Sequence, residues 1–140
     1  MEKAILDGKS LNVEMDSNSK MGSKYIPNDP HEMSPNGAIL AAIVERQHLV
    51  VVNGSSMCQG VITRRRATKK RIEESAIDVV LVSGDMIETI VKMEIDEARK
   101  YVLTKVTKTK KGFKVQDSDH NTILTEFNLK LNLNEDENKI

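Results

Sequence analysis

The chain has 140 residues, 39% of them hydrophobic, with one cysteine and 21 basic residues balanced by 21 acidic ones. That length suits one domain, a single cysteine excludes an internal disulfide and fits a reducing compartment, and a net charge of zero is silent about a nucleic-acid partner. No apolar run approaches a membrane span, and Met1 to Asp7 lacks the apolar stretch of a secretory signal. The expectation is therefore an intracellular protein, of nucleus or cytoplasm, with no membrane partner.

The core must rest on Ile, Val, Leu and Met, because there is no Trp and there are only two Phe and two Tyr. Leu11, Val13 and Met15 alternate with Asn12 and Glu14, the pattern of a half-buried strand ending at Asp16. From Asp16 to Asn36 the chain is polar and rich in breakers such as Asn28-Asp29-Pro30 and Ser34-Pro35-Asn36-Gly37. A loop of that length is uncommon in a compact domain unless it is functional.

Gly37 to His48 reads as a helix, with Leu40, Ile43, Val44 and Gln47 on one face, Ile39 beside them, and Asn36 or Ser34 as cap. Leu49 to Val52 reads as a buried strand, and Asn53-Gly54 turns the chain. Gly60 to Thr63 reads as a weaker strand. It leads into Arg64-Arg65-Arg66 and Lys69-Lys70-Arg71, six positive charges within eight residues, read as a loop. Such a block suits phosphate contacts or is simply a solvated charged loop.

Ile77 to Val82 is β-branched and nearly continuous, which suggests a strand covered on both faces. Asp85 to Ile90 is a short helix or a turn. Val91 to Ile95, Tyr101 to Thr107 and Thr122 to Leu131 complete the strands, and Gly112 breaks a second lysine run. Residues 1–10 form a short extension, 11–133 one strand-rich α/β domain, and 134–140 an acidic, disordered tail.

The polar residues that matter lie where strands end. Asp16 and Asn18 follow the first strand, Asp119 and His120 precede the last, and Asp78 opens the most buried one. A charge there is costly unless paired, and an imidazole is its natural partner. Hydrolysis of a phosphate ester with a divalent metal needs these residue types. Carboxylates bind hard cations, and histidine stabilises the phosphoryl oxygens. Each motif also has a plainer reading. Asp-x-Asn is a common turn, Asp119 could cap another, and Asp78 could be solvated at a strand edge. His31, in a turn-rich loop, and His48, closing the helix, are not read as catalytic.

In order, Met15-Asp16-Ser17-Asn18, Ile77-Asp78-Val79-Val80-Leu81-Val82-Ser83 and Ser118-Asp119-His120-Asn121 resemble the motifs of the endonuclease/exonuclease/phosphatase superfamily. That superfamily includes apurinic endonucleases, DNase I-like nucleases, inositol polyphosphate phosphatases and retrotransposon endonuclease domains. Ser34-Pro35-Asn36-Gly37 with the following helix, and Thr63-Arg64-Arg65-Arg66, resemble the retroelement branch. The resemblance spans Leu11 to Phe127.

It implies the strand-rich half of a DNase I-like four-layered α/β sandwich. It also implies a metal-dependent endonuclease acting on nucleic acid, DNA ahead of RNA, with Mg²⁺ or Mn²⁺. Asp16 would orient or deprotonate the attacking water. Asn18 would hydrogen-bond the scissile phosphate, and Asp78 would hold His120 in its tautomer. His120 would stabilise phosphoryl charge, and Asp119 would bind the metal. Arg64, Arg65 and Arg66 would join Asn18 in binding substrate phosphate.

Two departures stand out. Met15 replaces the usual glycine, and no residues match the Asn, metal-binding Glu and Tyr or His pair of the family's first half. The chain therefore reads as a truncated domain, completed by a missing N-terminal half or by self-association through an exposed apolar face. The alternatives are an inactive or nucleic-acid-binding retroelement remnant, and a phosphatase of a small phosphorylated molecule.

Overall fold

The structure, a computed structural model, describes residues 10–129. The expected acidic tail at 134–140, Leu131 and all but the last residue of the N-terminal extension lie outside the described residues. Within them the fold is mixed α/β and strand-rich, with a single α-helix. No described helix is long and apolar enough to cross a membrane.

The framework is set by strand β6 (Asp78–Ser83), which lies between β1 (Asn12–Asp16) and β2 (Leu49–Val51) in an antiparallel sheet. Side chains alternate across a strand. Val79 and Leu81 therefore enter one core with Leu40, Ala41 and Val44 of helix α1 (Pro35–Arg46), while Val80 and Val82 enter another. That second core is completed by Ile90, Met93 and Ile95 of β7 (Ile90–Ile95). Strand β7 is central in a second sheet, antiparallel to β10 (Ile123–Phe127) and parallel to the short β3 (Cys58–Gln59). Helix, sheet and sheet thus stack as three layers. The cover on both faces expected from the Ile77–Val82 run is what the packing shows.

Other expectations shift. The helix is capped by Ser34, whose Oγ accepts from Gly37 N at 3.1 Å. It starts at Pro35, at the N-terminal position where a missing N–H is harmless. Its buried stripe is Gly37, Leu40, Ala41 and Val44, whereas Ile43 and Ile39 are exposed, Ile39 by 62%. The stripe is rotated from the one expected because Gly37 and Ala41 allow the backbone itself to approach. A Cβ at Gly37 would lie 1.8 Å from the carbonyl oxygen of Lys20. Met21 and Ile26, in the long loop, are fully buried under the helix and fill the rest of that core.

Gly60 to Thr63 is not a strand; the short β3 precedes it. Gly60 adopts φ +94, and the next two amides, of Val61 and Ile62, both donate to Glu97 Oε1 instead of to a ladder. Only the second half of the basic block, Lys69-Lys70-Arg71, is a loop; the first half is strand. It builds β4 (Arg64–Ala67), which pairs with β5 (Ile72–Ser75) as an antiparallel hairpin. The second lysine run forms another, β8 (Thr104–Thr109) with β9 (Gly112–Asp117), every residue of which is exposed. Gly84–Thr89 is a 3₁₀ turn, one of the two forms expected there.

Strand β2 ends at Val51, and the side chain of buried Asn53 continues its ladder along β6. Its Nδ2 donates to the Asp78 carbonyl at 3.0 Å, and its Oδ1 accepts from Val80 N at 2.9 Å. Asn53→Ala removes both partners. At roughly 1–3 kcal/mol per orphaned buried group, it should destabilise the fold by about 2–4 kcal/mol in urea unfolding. A loss well under 1 kcal/mol would show that the amide is not structural.

Candidate active site

The start of β6 carries the site. Asp78 stands directly opposite Asp16 in the β1–β6 register. The backbone groups of Asp78 point away from β1, its N–H to Thr63 Oγ1 at 3.0 Å and its carbonyl to Asn53. The two aspartates therefore form a non-hydrogen-bonded pair, the kind in which side chains approach most closely. Like charges in that position repel, and His120 relieves this. Its Nδ1 lies 2.7 Å from Asp78 Oδ2, and its Nε2 lies 3.8 Å from Asp16 Oδ2. The pairing of Asp78 with an imidazole, expected from its burial, is thus present.

Two further contacts shape the rim. Asp16 Oδ1 accepts from Asn18 N at 3.0 Å, and Asn18 adopts the left-handed conformation, φ +47. This is an Asx turn, which fixes the Asp16 carboxylate and directs Asn18 outward. Asp119 Oδ1 lies 3.8 Å from His120 Nε2, and its Oδ2 accepts from Arg64 Nε at 2.9 Å. At 3.8 Å neither carboxylate bonds Nε2 directly, so this nitrogen faces outward between them.

The Ser118–Asn121 segment is held as an extra rung beside β4. Arg65 N donates to the Asp119 carbonyl at 2.8 Å, and Asn121 N donates to the Thr63 carbonyl at 2.6 Å. Ser118 Oγ accepts from His120 N at 3.1 Å. Buried Thr63 accepts at one hydroxyl from both Ile77 N and Asp78 N, so it joins this segment to β6. Thr63, Asn53, Asn121 and Arg99 are supporting residues that the sequence reading left unassigned. Asn53 read as half of a turn, and only a buried polar side chain with two backbone partners reveals its role.

Arg64 and Arg66 line a cleft of about 820 Å³ with Asn18, Lys20 and Arg71, between the β4–β5 hairpin and the N-terminus of α1. On the hairpin's other side, Arg64, Arg65 and Arg66 line a second cleft of about 810 Å³ with Arg99 and Lys105. Arg65 pairs with Glu74 at 3.5 Å and Arg71 with Glu73 at 3.1 Å. Arg66, Lys69 and Lys70 have no carboxylate within ion-pair distance among the described residues. His31 Nε2 meets the Glu74 carbonyl at 2.7 Å and ties the long loop to β5, away from the aspartates. Cys58 is half-buried, and burial, with Glu97 nearby, raises its thiol pKa, consistent with an inert thiol.

Among the described residues, Asp16, Asp78 and His120 offer ligand atoms within 4.8 Å of one another. Two carboxylates here, with Asp119 beside them, make an oxygen-rich donor set that suits a hard divalent cation. Burial raises the Asp78 carboxyl above its ordinary value of 3.8, against the hydrogen bond and charge of His120, while Asp16 adds to the rise. Burial also acts upward on Asp119, but the hydrogen bond and charge of Arg64, with the charge of His120, bring it below the ordinary value.

Because folding raises the Asp78 pKa, its contribution to stability is full below the unfolded value. It is lost as pH climbs through the folded one. Asp78→Asn cannot ionise and escapes that loss. As pH climbs above the unfolded value of about 4, the urea midpoint of Asp78→Asn should rise relative to that of the unaltered chain. Asp119 acts in the opposite sense in both chains and cancels in the difference. A pH-independent difference would contradict this account.

No protein-family model matches the chain, and no curated protein matches it. Among solved structures it is similar to the "Endonuclease domain of TRAS1, a telomere-specific non-LTR retrotransposon", with a TM-score of 0.57 and 20% identity. The match covers 86% of this chain and 44% of that one, so the chain spans less than half the length of that structure. Over most of its length, the chain shares the fold of a retrotransposon endonuclease domain.

Proposed function

We propose that this site hydrolyses phosphodiester bonds in nucleic acid, DNA ahead of RNA, with Mg²⁺ or Mn²⁺. The observation that carries the reading is the Asp78–His120–Asp16 cluster, with Asp119 and Arg64 at its rim and a basic cleft on either side of the adjoining hairpin. In this reading the described residues are the strand-rich half of a four-layered α/β sandwich.

The chain's own residues have distinct tasks. Asp78 accepts from His120 Nδ1 at 2.7 Å, so the ring is oriented with Nε2 outward. A proton on Nε2 lets the imidazole donate to a phosphoryl oxygen, and Asp78 balances the charge that this creates. Asp16, immobilised by Asn18 N–H, orients the attacking water and takes its proton. The Asn18 side chain, at the mouth of the cleft, donates to the scissile phosphate. Asp119 and Asp16 would hold the metal, which would supply a lowered pKa for bound water and stabilisation of developing negative charge. Arg64 anchors Asp119, while Arg65 and Arg66 meet phosphates on opposite faces of the hairpin.

The test is nicking of supercoiled plasmid by the purified chain, with Mg²⁺ and with EDTA, alongside His120→Ala. Metal-dependent nicking that falls about 10²–10⁴-fold in the variant, the range of a lost acid–base group, is the expected outcome. If circular dichroism shows a folded chain that binds DNA without nicking it, the site is a nucleic-acid-binding module. Phosphate release from a small phosphomonoester without nicking would indicate a phosphatase.

The basic hairpin makes a separate prediction. Neutralising Arg66, Lys69 and Lys70 to Gln should flatten the dependence of log K on log salt for duplex DNA. The slope should fall by about 0.9 for each phosphate that the hairpin no longer neutralises. An unchanged slope would return the block to the status of a solvated charged surface.

A further inference from the structure

We infer that Arg99 is a positioning residue for His120, clamping both ends of the loop that carries it. Its Nη1 donates to Asn121 Oδ1 at 2.9 Å, and its Nη2 donates to the Ser118 carbonyl. These acceptors flank Asp119-His120 on either side. One planar, always-charged group therefore sets the span of the segment, and its fork geometry makes the two bonds mutually dependent.

The clamp is itself built in. Arg99 adopts φ +56, a left-handed conformation uncommon for a long side chain, which the surrounding turn must hold in place. Arg99 N donates to the Asp96 carbonyl at 3.0 Å. Buried Asp96 accepts at Oδ2 from Tyr101 N at 2.7 Å, closing the turn. On the far side, Asn121 Nδ2 donates to the Ile62 carbonyl at 2.7 Å, and Asn121 N reaches the Thr63 carbonyl. Thr63 Oγ1 in turn accepts from Asp78 N. A continuous path of hydrogen bonds thus runs from Arg99 through Asn121 and Thr63 to the partner of His120. Loosening it lets the ring drift from Asp78 and turn Nε2 out of line.

Arg99 also lines the second basic cleft with Arg65 and Arg66, so direct contact with substrate is the competing role, and the two separate experimentally. The kinetic part rests on the phosphodiester-hydrolysis reading; the spectroscopic part does not. In the nicking assay, Arg99→Ala should lower kcat about 10–100-fold, the range for removing a group that orients a functional histidine, with KM unchanged. Arg99→Lys should fail to restore it, because an ammonium cannot span both acceptors. Added guanidinium at non-denaturing concentration should restore part of it.

In parallel, ¹⁵N-histidine spectra at one fixed pH would be recorded on the full chain, with the His120 signals identified by their loss in His120→Ala. Arg99→Ala should shift the His120 Nδ1 and Nε2 resonances and leave those of His31 and His48 in place. Unmoved His120 resonances, or a rise in KM with kcat intact, would overturn the inference. If the unaltered chain does not nick DNA, the proposed function fails while the spectra still decide the role of Arg99. If Arg99→Ala does not fold, Arg99→Lys carries the same comparisons.

Discussion

The hydrogen bond between Asp78 and His120 is the contact around which the site is organised. Its existence follows from a conflict in β6. Strand β6 must be apolar on both faces to hold helix and second sheet together, yet it begins with a carboxylate opposite another carboxylate. A charge near that interior is tolerated only with a partner, and the partner comes from a loop 42 positions away in sequence. Burial keeps the Asp78 carboxyl above its ordinary pKa. The His120 hydrogen bond and charge act on that carboxyl in the opposite direction.

Holding that pair in register falls to side chains acting as backbone. Where β2 stops, the Asn53 amide continues its ladder; where β6 begins, the Thr63 hydroxyl takes two amides at once. These substitutions free the end of the strand from a neighbouring strand without leaving buried groups unpaired. Asp16 and His120 line the pocket at the start of β6, and Asn18 lines the cleft beside the hairpin. Rigid support lies beneath the site, and the charged hairpins rise around it. Two-stranded hairpins have little stability alone, so these arms contrast with the doubly covered β6.

Much of this was legible beforehand because each motif coincides with a change in local pattern. Alternation in Leu11 to Met15 ends at Asp16, and the branched run after Ile77 announces a strand whose first polar residue must be answered. The single helix was also readable, with its cap narrowed to Asn36 or Ser34. Its face was readable only in part: Leu40 and Val44 are buried as expected, but Gly37 and Ala41 are buried in place of Ile43, which hydrophobicity does not register. The arginine triplet read as a loop because consecutive cations carry no apolar alternation. Across the hairpin Arg65 meets Glu74, and its backbone N–H donates to the Asp119 carbonyl.

The sequence by itself singled out candidate residues, because carboxylates, an amide and an imidazole at strand ends are chemical facts that no fold alters. It also determined that β6 is the centre, since only a strand covered on both sides is apolar at every successive position. Tertiary structure alone decided that Asp16 faces Asp78, that His120 bridges them, and that Thr63, Asn53, Asn121 and Arg99 hold the arrangement. Those roles depend on hydrogen-bond geometry between segments far apart in the chain. A polar side chain shows in sequence what it can donate or accept, but only the folded chain shows which group it meets.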